Sequence, residues 1–467
     1  MATTALTKSG TGTLTLNGTS SYNGTTTVST GTLVVGANAP SGSTGALGNA
    51  SSEVVLGTAG GSTSASLVID GAFTAGRDIR TPTANTTDNG TRVLTLGGNA
   101  AANSTFSGNI TLGTENQAGR GVTLTAASGG QVTFTGVIQN PASMDATSYT
   151  VTKSGLGTVV LSNTNPYSGN TTVSAGTFLV NGSTAAGAVA VGSNSTLGGT
   201  GTINGSTTLN SASLAPATAG VAGLLTFGAN LTITSATLNF DLGTNTAASD
   251  RASVTGNLTI ASANTLNLTN LAVPGAESTV YTLFTVSGTT TGIGNLTVNP
   301  LAGYSSSVGL VGNDVQLTLT SNVVASAYAT WASTAGLDSG NNGHAQDPDG
   351  DGVSNVLEFV LVGEPLTTST SLLPTQTTTA TDLVLSFKRS DESEAQVSGL
   401  AVQYGANLSS WETLAISAAS SGPDANGVVV TVSENGAAPD DISISIPLSL
   451  KVGGRLFARV QATHTLP

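Results

Sequence analysis

The chain has no cysteine, which excludes a disulfide framework and any thiolate metal site. Charge is scarce at 8% of residues, and the 12 Lys and Arg side chains are outnumbered by acids to a net charge of −13. A protein that reads nucleic acid neutralises phosphates with many basic side chains, so nucleic acid is excluded as a partner. No run of about 18 apolar residues occurs, so no transmembrane segment is expected. The two histidines, His344 and His464, stand far apart, and with no cysteine nucleophile available neither a Ser-His-Asp nor a Cys-His arrangement can be assembled from sequence. The amino terminus, MATTALTKSG, lacks a basic segment followed by an apolar one. A mature fragment, or export signalled elsewhere in a longer protein, is the expectation.

Glycine, at 60 residues, is abundant, and 38% of the chain is hydrophobic with a mean hydropathy of +0.18. Disordered chains combine low hydrophobicity with high net charge, so this composition fits a β-rich solenoid, with small polar residues in turns and thin aliphatic rows in the core. A repeat supports that reading. Lys8 to Val35 returns without a gap at Lys153 to Val180, a constant offset of 145 residues. In the first copy Leu14 and Leu16 alternate with threonine, and Val28, Leu33 and Val35 follow. Alternation at period two marks strands with one buried face, and the intervening Asn17-Gly18 and Asn23-Gly24 tolerate tight turns. Short strands of this kind recur to about residue 320, which predicts a right-handed parallel β-helix. With coils of roughly 20 to 25 residues, this domain would have about 14 coils and a length of roughly 65 Å. The stretch STVYTLFTV and the alternating Val315, Leu317 and Leu319 are expected to close its last rung.

The segments SGTGTLTLNGTSSYNGTTTVSTGTLVV and SGLGTVVLSNTNPYSGNTTVSAGTFLV closely resemble the autotransporter-associated β-strand repeat of exported bacterial passenger proteins. STLGGTGTI, SLAPATAGVAGLLTFGANLTI and LNFDLGTNTAASDRASVTGNLTI are similar to passenger sequence as well. The resemblance implies a β-helix displayed outside a Gram-negative cell.

Acidity is concentrated late in the chain: residues 1–337 carry a net charge of −3 and residues 338–467 a net −10. Three parts are expected: a β-helix over 1–322, a helix and calcium-binding junction over 323–366, and a small β-sandwich over 367–467. The helix is placed at 325–335, with Tyr328 and Trp331 on one face. After it, Asp347, Asp349, Asp351, Gly352 and Glu358 match every fixed position of a D-x-[DN]-x-[DN]-G-x5-E calcium loop, and Asn355 sits where a direct or water-mediated ligand belongs. Calcium takes six to eight hard oxygens. Asp347, Asp349, Asp351 and Asn355 would supply side-chain oxygens, Val353 its carbonyl and Glu358 two carboxylate oxygens. The junction resembles thrombospondin type 3 and dockerin-type loops, which implies a structural role for the metal. In the terminal part Phe387, Tyr404, Trp411 and Phe457 sit in or beside alternating strands and are expected in the core rather than on a sugar platform.

A β-helix can also be a polysaccharide lyase or hydrolase acting on acidic glycans, which requires convergent acids on one face. Residues 1–337 hold ten acids, scattered, with the densest knot at Asp70, Arg77, Asp78 and Arg80, where a loop ion pair is the expectation. No enzyme is therefore expected. The expected role is an extracellular structural or adhesive surface protein with calcium as its cofactor. Its candidate partners are further copies of the chain, assembled through lateral threonine and asparagine rows into a filament, or a surface glycan or neighbouring-cell ligand.

Overall fold

The computed structural model describes residues 4–82, 92–113, 120–141, 149–218, 220–273, 278–321, 327–338, 340–394, 397, 399–436 and 438–462. The Pro274-Gly275 turn, Ala325 and Ser326, the acids Asp88, Glu115, Asp145 and Glu277, and His464 lie outside them. The chain divides into two compact units, Met1–Val323 and Val324–Pro467.

The first unit is a parallel β-helix. Its longest sheet stacks twelve parallel strands, from Thr13–Leu16 to Thr290–Thr291, and a second stacks ten, from Thr74–Ala75 to Leu296–Val298. A six-stranded sheet starting at Leu6–Lys8 and a seven-stranded sheet starting at Ser183–Thr184 take the same place in the chain's circuit, one early and one late. Among the described residues the longest sheet counts twelve rungs rather than fourteen, spanning about 53 Å at ~4.8 Å per strand. Loops account for the difference. Thr172 pairs with Ala190, 18 residues on, whereas Thr32 pairs with Ser66, 34 residues on.

Strict register builds the core. In the twelve-stranded sheet Leu14, Leu33, Leu67, Leu96 and Leu124 stack in one inward row, followed after one interruption by Val173, Val191, Leu209, Ile233 and Ile260. Phe106 and Phe134 stack 5.1 Å apart on the neighbouring side. The interruption is Lys153. Its stem continues the aliphatic row, and its amine, fully buried, donates to the carbonyls of Ser154, Gly155 and Ala175 at 3.0, 2.7 and 2.7 Å. Lys8 does the same with Ser9, Gly10 and Thr30. Burial draws the Lys153 amine down to about 8, and the three carbonyls are what hold its proton. Both cages are closed by a glycine at positive φ, Gly31 or Gly176, where a side chain would strike the carbonyls of Gly10 and Gly12, or of Gly155 and Gly157. Each copy adds a tyrosine clasp, Tyr22 to Thr26 at 2.8 Å and Tyr167 to Thr171 at 2.6 Å.

Asparagine and aspartate side chains join successive turns. Asn38 accepts from the Thr74 N–H, Asn109 from Val137, Asn170 from Ala188, Asn181 from Thr200 and Asn230 from Asn257. Facing outward from the long sheet is one register row: Thr13, Thr32, Ser66, Thr95, Thr123, Thr152, Thr172, Ala190, Thr208, Thr232, Thr259 and Thr291. A hairpin, Tyr304–Val311 with Asp314–Ser321, pairs antiparallel to Ser278–Val286 at the late edge of the seven-stranded sheet.

The knot at Asp70 to Arg80 is not an ion pair among its own members. Arg77 is buried and donates to Thr26, Leu47 and Ser52, pinning the long loop before it. Arg80 pairs instead with Glu53 at 3.0 Å, and Asp78 accepts from the Asn109 N–H.

The second unit opens with helix α1 (Ala327–Thr334) and helix α2 (Asn355–Leu361), followed by a small two-sheet β domain. A four-stranded antiparallel sheet orders Thr375–Thr378, Asp382–Arg389, Ala438–Pro447 and Val429–Asn435, and a three-stranded sheet orders Glu412–Ala415, Ala401–Gly405 and Phe457–Gln461. Leu383, Leu385 and Phe387 meet Ile442, Ile444 and Ile446, with Val402, Tyr404 and the helical Val356, Phe359 and Val360 in the same core. Trp411 and Phe457 differ from expectation: both are half-exposed. Trp411 precedes a strand at the edge of its sheet among the described residues, and the Arg459 guanidinium covers its ring at 4.4 Å.

Replacing Lys153 by methionine keeps the stem and removes three charge-assisted hydrogen bonds, leaving three carbonyls short of a donor. We expect the first unit to lose about 2 to 3 kcal/mol. Chemical denaturation followed by far-ultraviolet circular dichroism reads this, and an unchanged midpoint would show that the cage contributes nothing.

Candidate metal centre

The loop from Asp347 to Glu358 folds on itself through its own carboxylates. Asp347 accepts from the N–H groups of Gly350 at 2.9 Å, Asp351 at 3.2 Å and Gly352 at 2.8 Å. Asp349 accepts from Asp351 at 3.1 Å, and Asp351 from Val353 at 2.8 Å. Gly350 and Gly352 take positive φ, the conformation this tight winding requires. One oxygen from each of Asp347, Asp349 and Asp351 lies within 4.8 Å of the others.

Helix α2 supplies the remaining side chains. Asn355, in its first turn, is fully buried, and its amide donates to the carbonyls of Asn341 and Gly343, both at 2.9 Å. That fixes the amide and leaves its oxygen buried with no donor. Glu358, one turn on, is also fully buried, and both its oxygens lack a hydrogen-bond partner, as does one oxygen of Asp349. Burial pushes the Glu358 carboxyl up to about 7, a nearby Ser369 hydroxyl opposes this, and the charges of Asp349, Asp351 and Asp347 add to it. Burial likewise raises Asp349, whereas the Gly352 N–H holds Asp347 low. Val353 is buried and joins the loop through its backbone.

Orphaned acceptors of this kind are costly in a folded core, and here they are one oxygen of Asp349, the Asn355 amide oxygen and both oxygens of Glu358. The structure brings Asp347, Asp349 and Asp351 together within 4.8 Å, while Glu358 stands outside that cluster and feels the three through their charge. The residues fit a calcium ion: the set is all oxygen, acidic and held on a glycine-shaped loop. Bound there, the ion would supply charge neutralisation and cross-linking.

Two partners of this loop are distant in sequence from its pattern. The Ser369 N–H donates to Asp351 at 2.5 Å, and Gly363 is confined because a side chain there would meet the Ser369 hydroxyl and Glu358. A second acidic group, Glu394, Glu434 and Asp440, surrounds the buried Arg389, which donates to Asp440 at 2.6 Å and to Glu394. Its charge is already compensated by that guanidinium.

Residues 6–35 and 151–180 match the passenger-associated-transport-repeat family. These are the two stretches that carry the lysine cages and tyrosine clasps. No characterised protein matches the chain. The family match supports an autotransporter passenger repeat and lies wholly in the β-helix, so it bears on the rod and not on the loop at Asp347.

In the metal-free chain the raised carboxyl of Glu358 makes the second unit less stable as pH rises. Its folded state holds the proton to about 7 and its unfolded state only to the ordinary glutamate range near 4.5, so stability falls between those values. The expected loss is about 2 to 3 kcal/mol, removed by Glu358→Gln. Both tryptophans lie in this unit, so fluorescence-detected denaturation in calcium-free buffer at pH 5 and pH 8 reads it alone. Equal midpoints at the two pH values would contradict it.

Proposed function

We propose that this chain is an extracellular structural or adhesive protein of a Gram-negative bacterial surface, a β-solenoid rod followed by a terminal domain stabilised by calcium. The observation that carries the reading is the register row of the twelve-stranded sheet, ten threonines, a serine and an alanine, an uncharged lateral surface running the full count of rungs. A solenoid of this kind separates its ends and offers a long, even flank. The passenger repeat supports display outside the cell.

The carbohydrate-active alternative requires convergent free carboxylates. Among the described residues of the rod, the buried acids that approach each other are Asp241 and Asp250. Their oxygens accept from the backbone N–H groups of Gly220, Gly223 and Asp241, which makes them loop pins.

Calcium in this reading is structural. Asp347, Asp349, Asp351, Asn355 and Glu358 would hold it by side chains and Val353 by its carbonyl, joining loop 347–353 to α2 and so to the core that Val356, Phe359 and Val360 share with the sheets. Saturating calcium, at a hundredfold over its dissociation constant, should stabilise the second unit by about 2.7 kcal/mol. Thermal melts followed by tryptophan emission should rise with calcium, fall on chelation and lose both responses in Asp349→Asn or Glu358→Gln. A melt indifferent to chelator in the calcium-loaded protein would sink the assignment.

A further inference from the structure

On the second unit, helices α1 and α2 and the short helix α3 (Asp391–Glu394) border a cavity of about 490 Å³. Its apolar wall is Trp331, Phe359 and Val362, and its acidic residues are Glu364 and Glu392. Cavities of this size take a single small guest or one side chain.

Three features distinguish it from an accidental hollow. Val362 is a β-branched residue in the left-handed region, φ 63° and ψ 36°, and it is 45% exposed. The neighbouring Gly363 would adopt that conformation without strain, yet its place is fixed by the close approach of Ser369 and Glu358. The strained position therefore falls on Val362, and its side chain lines the cavity. The acidic residues stand exposed at the cavity's rim: among the described residues neither Glu364 nor Glu392 forms an ion pair, and no Lys or Arg lines the cavity. Finally, Trp331 offers an indole, the aromatic group that attracts cations most strongly.

We propose that this cavity binds an aliphatic cation, the guanidinium or ammonium of an arginine or lysine side chain on a partner protein. Its hydrocarbon stem lies against Phe359 and Val362, and its charge meets Trp331, Glu364 and Glu392. The apolar wall alone would accept any aliphatic group. The two uncompensated carboxylates, in a unit whose sequence is strongly acidic, select the cation. The proposal does not depend on the metal assignment, because none of these residues is among the loop's oxygen donors.

The test uses the full chain in calcium-containing buffer with Trp411→Phe, so that Trp331 alone emits. Three probes are titrated: n-butylguanidinium, its neutral isostere n-butylurea, and the peptide acetyl-Gly-Arg-Gly-amide. A saturable change in Trp331 emission is expected with n-butylguanidinium and with the peptide, at least tenfold weaker with the urea. Glu364→Gln and Glu392→Gln should each weaken binding by about three- to fivefold, the worth of one exposed charge pair, and the double variant should lose it. Val362→Gly relieves the strained backbone, so it should leave the melting temperature unchanged or raised while weakening the guanidinium. The proposal is overturned if the urea binds as well as the guanidinium, if the double variant retains binding, or if no probe gives a saturable change. Binding of n-butylguanidinium without the peptide would overturn the protein-borne source.

Discussion

Everything in the first unit depends on one constraint, the in-register parallel pairing of each strand with the strand one circuit later. Because the pairing is parallel, like positions stack on like positions, and a residue's environment is set by the residue above and below it. Loops of very different length are tolerated because they leave the register untouched. A one-residue slip would turn the threonine row inward and the leucine row outward. The turn asparagines reinforce the register where strands end, each side chain taking up a backbone N–H of the adjacent rung that the ladder leaves open.

The same constraint explains which parts of the fold were legible in the sequence. Period-two alternation is local, so Leu14, Leu33 and Val35 announced strands, and the gapless return at Lys153 announced a repeat. The side each copy occupies is not local. The first copy lies in the six- and twelve-stranded sheets, the second in the twelve- and ten-stranded sheets, so the copies differ by one side of the helix. Nothing in either segment encodes that rotation, because it is set by how many strands the intervening chain contributes. Rung count failed for a related reason. A loop such as the one after Val35, pinned by Arg77, lengthens a rung without adding a layer.

The acidic loop was legible because its spacing is local: six positions of one short stretch. What could not be read was its surroundings. Ser369 and Gly363 approach it only through the turn after α2, and Asn341 and Gly343 only through the amide of Asn355. The aromatics show the opposite failure. Alternation placed Phe387 and Tyr404 correctly in the core, but Trp411 sits at a sheet edge, and no local pattern distinguishes an edge strand from a central one.

Buried charge gives the two units different characters. In the rod, Lys153 and Arg77 are surrounded by carbonyls and hydroxyls, so their donors are satisfied within the fold. In the second unit Arg389 is matched by Asp440 and Glu394. Glu358 departs from this pattern: it is as buried as Lys153, yet neither oxygen completes a hydrogen bond, the Ser369 hydroxyl is merely nearby, and the charges acting on it share its sign. That contrast is what motivates the proposal of a cation beside Glu358. Among the described residues, then, the buried Lys153 and Arg77 of the rod are met by its own carbonyls and hydroxyls, whereas the buried Glu358 of the second unit meets only charges of its own sign.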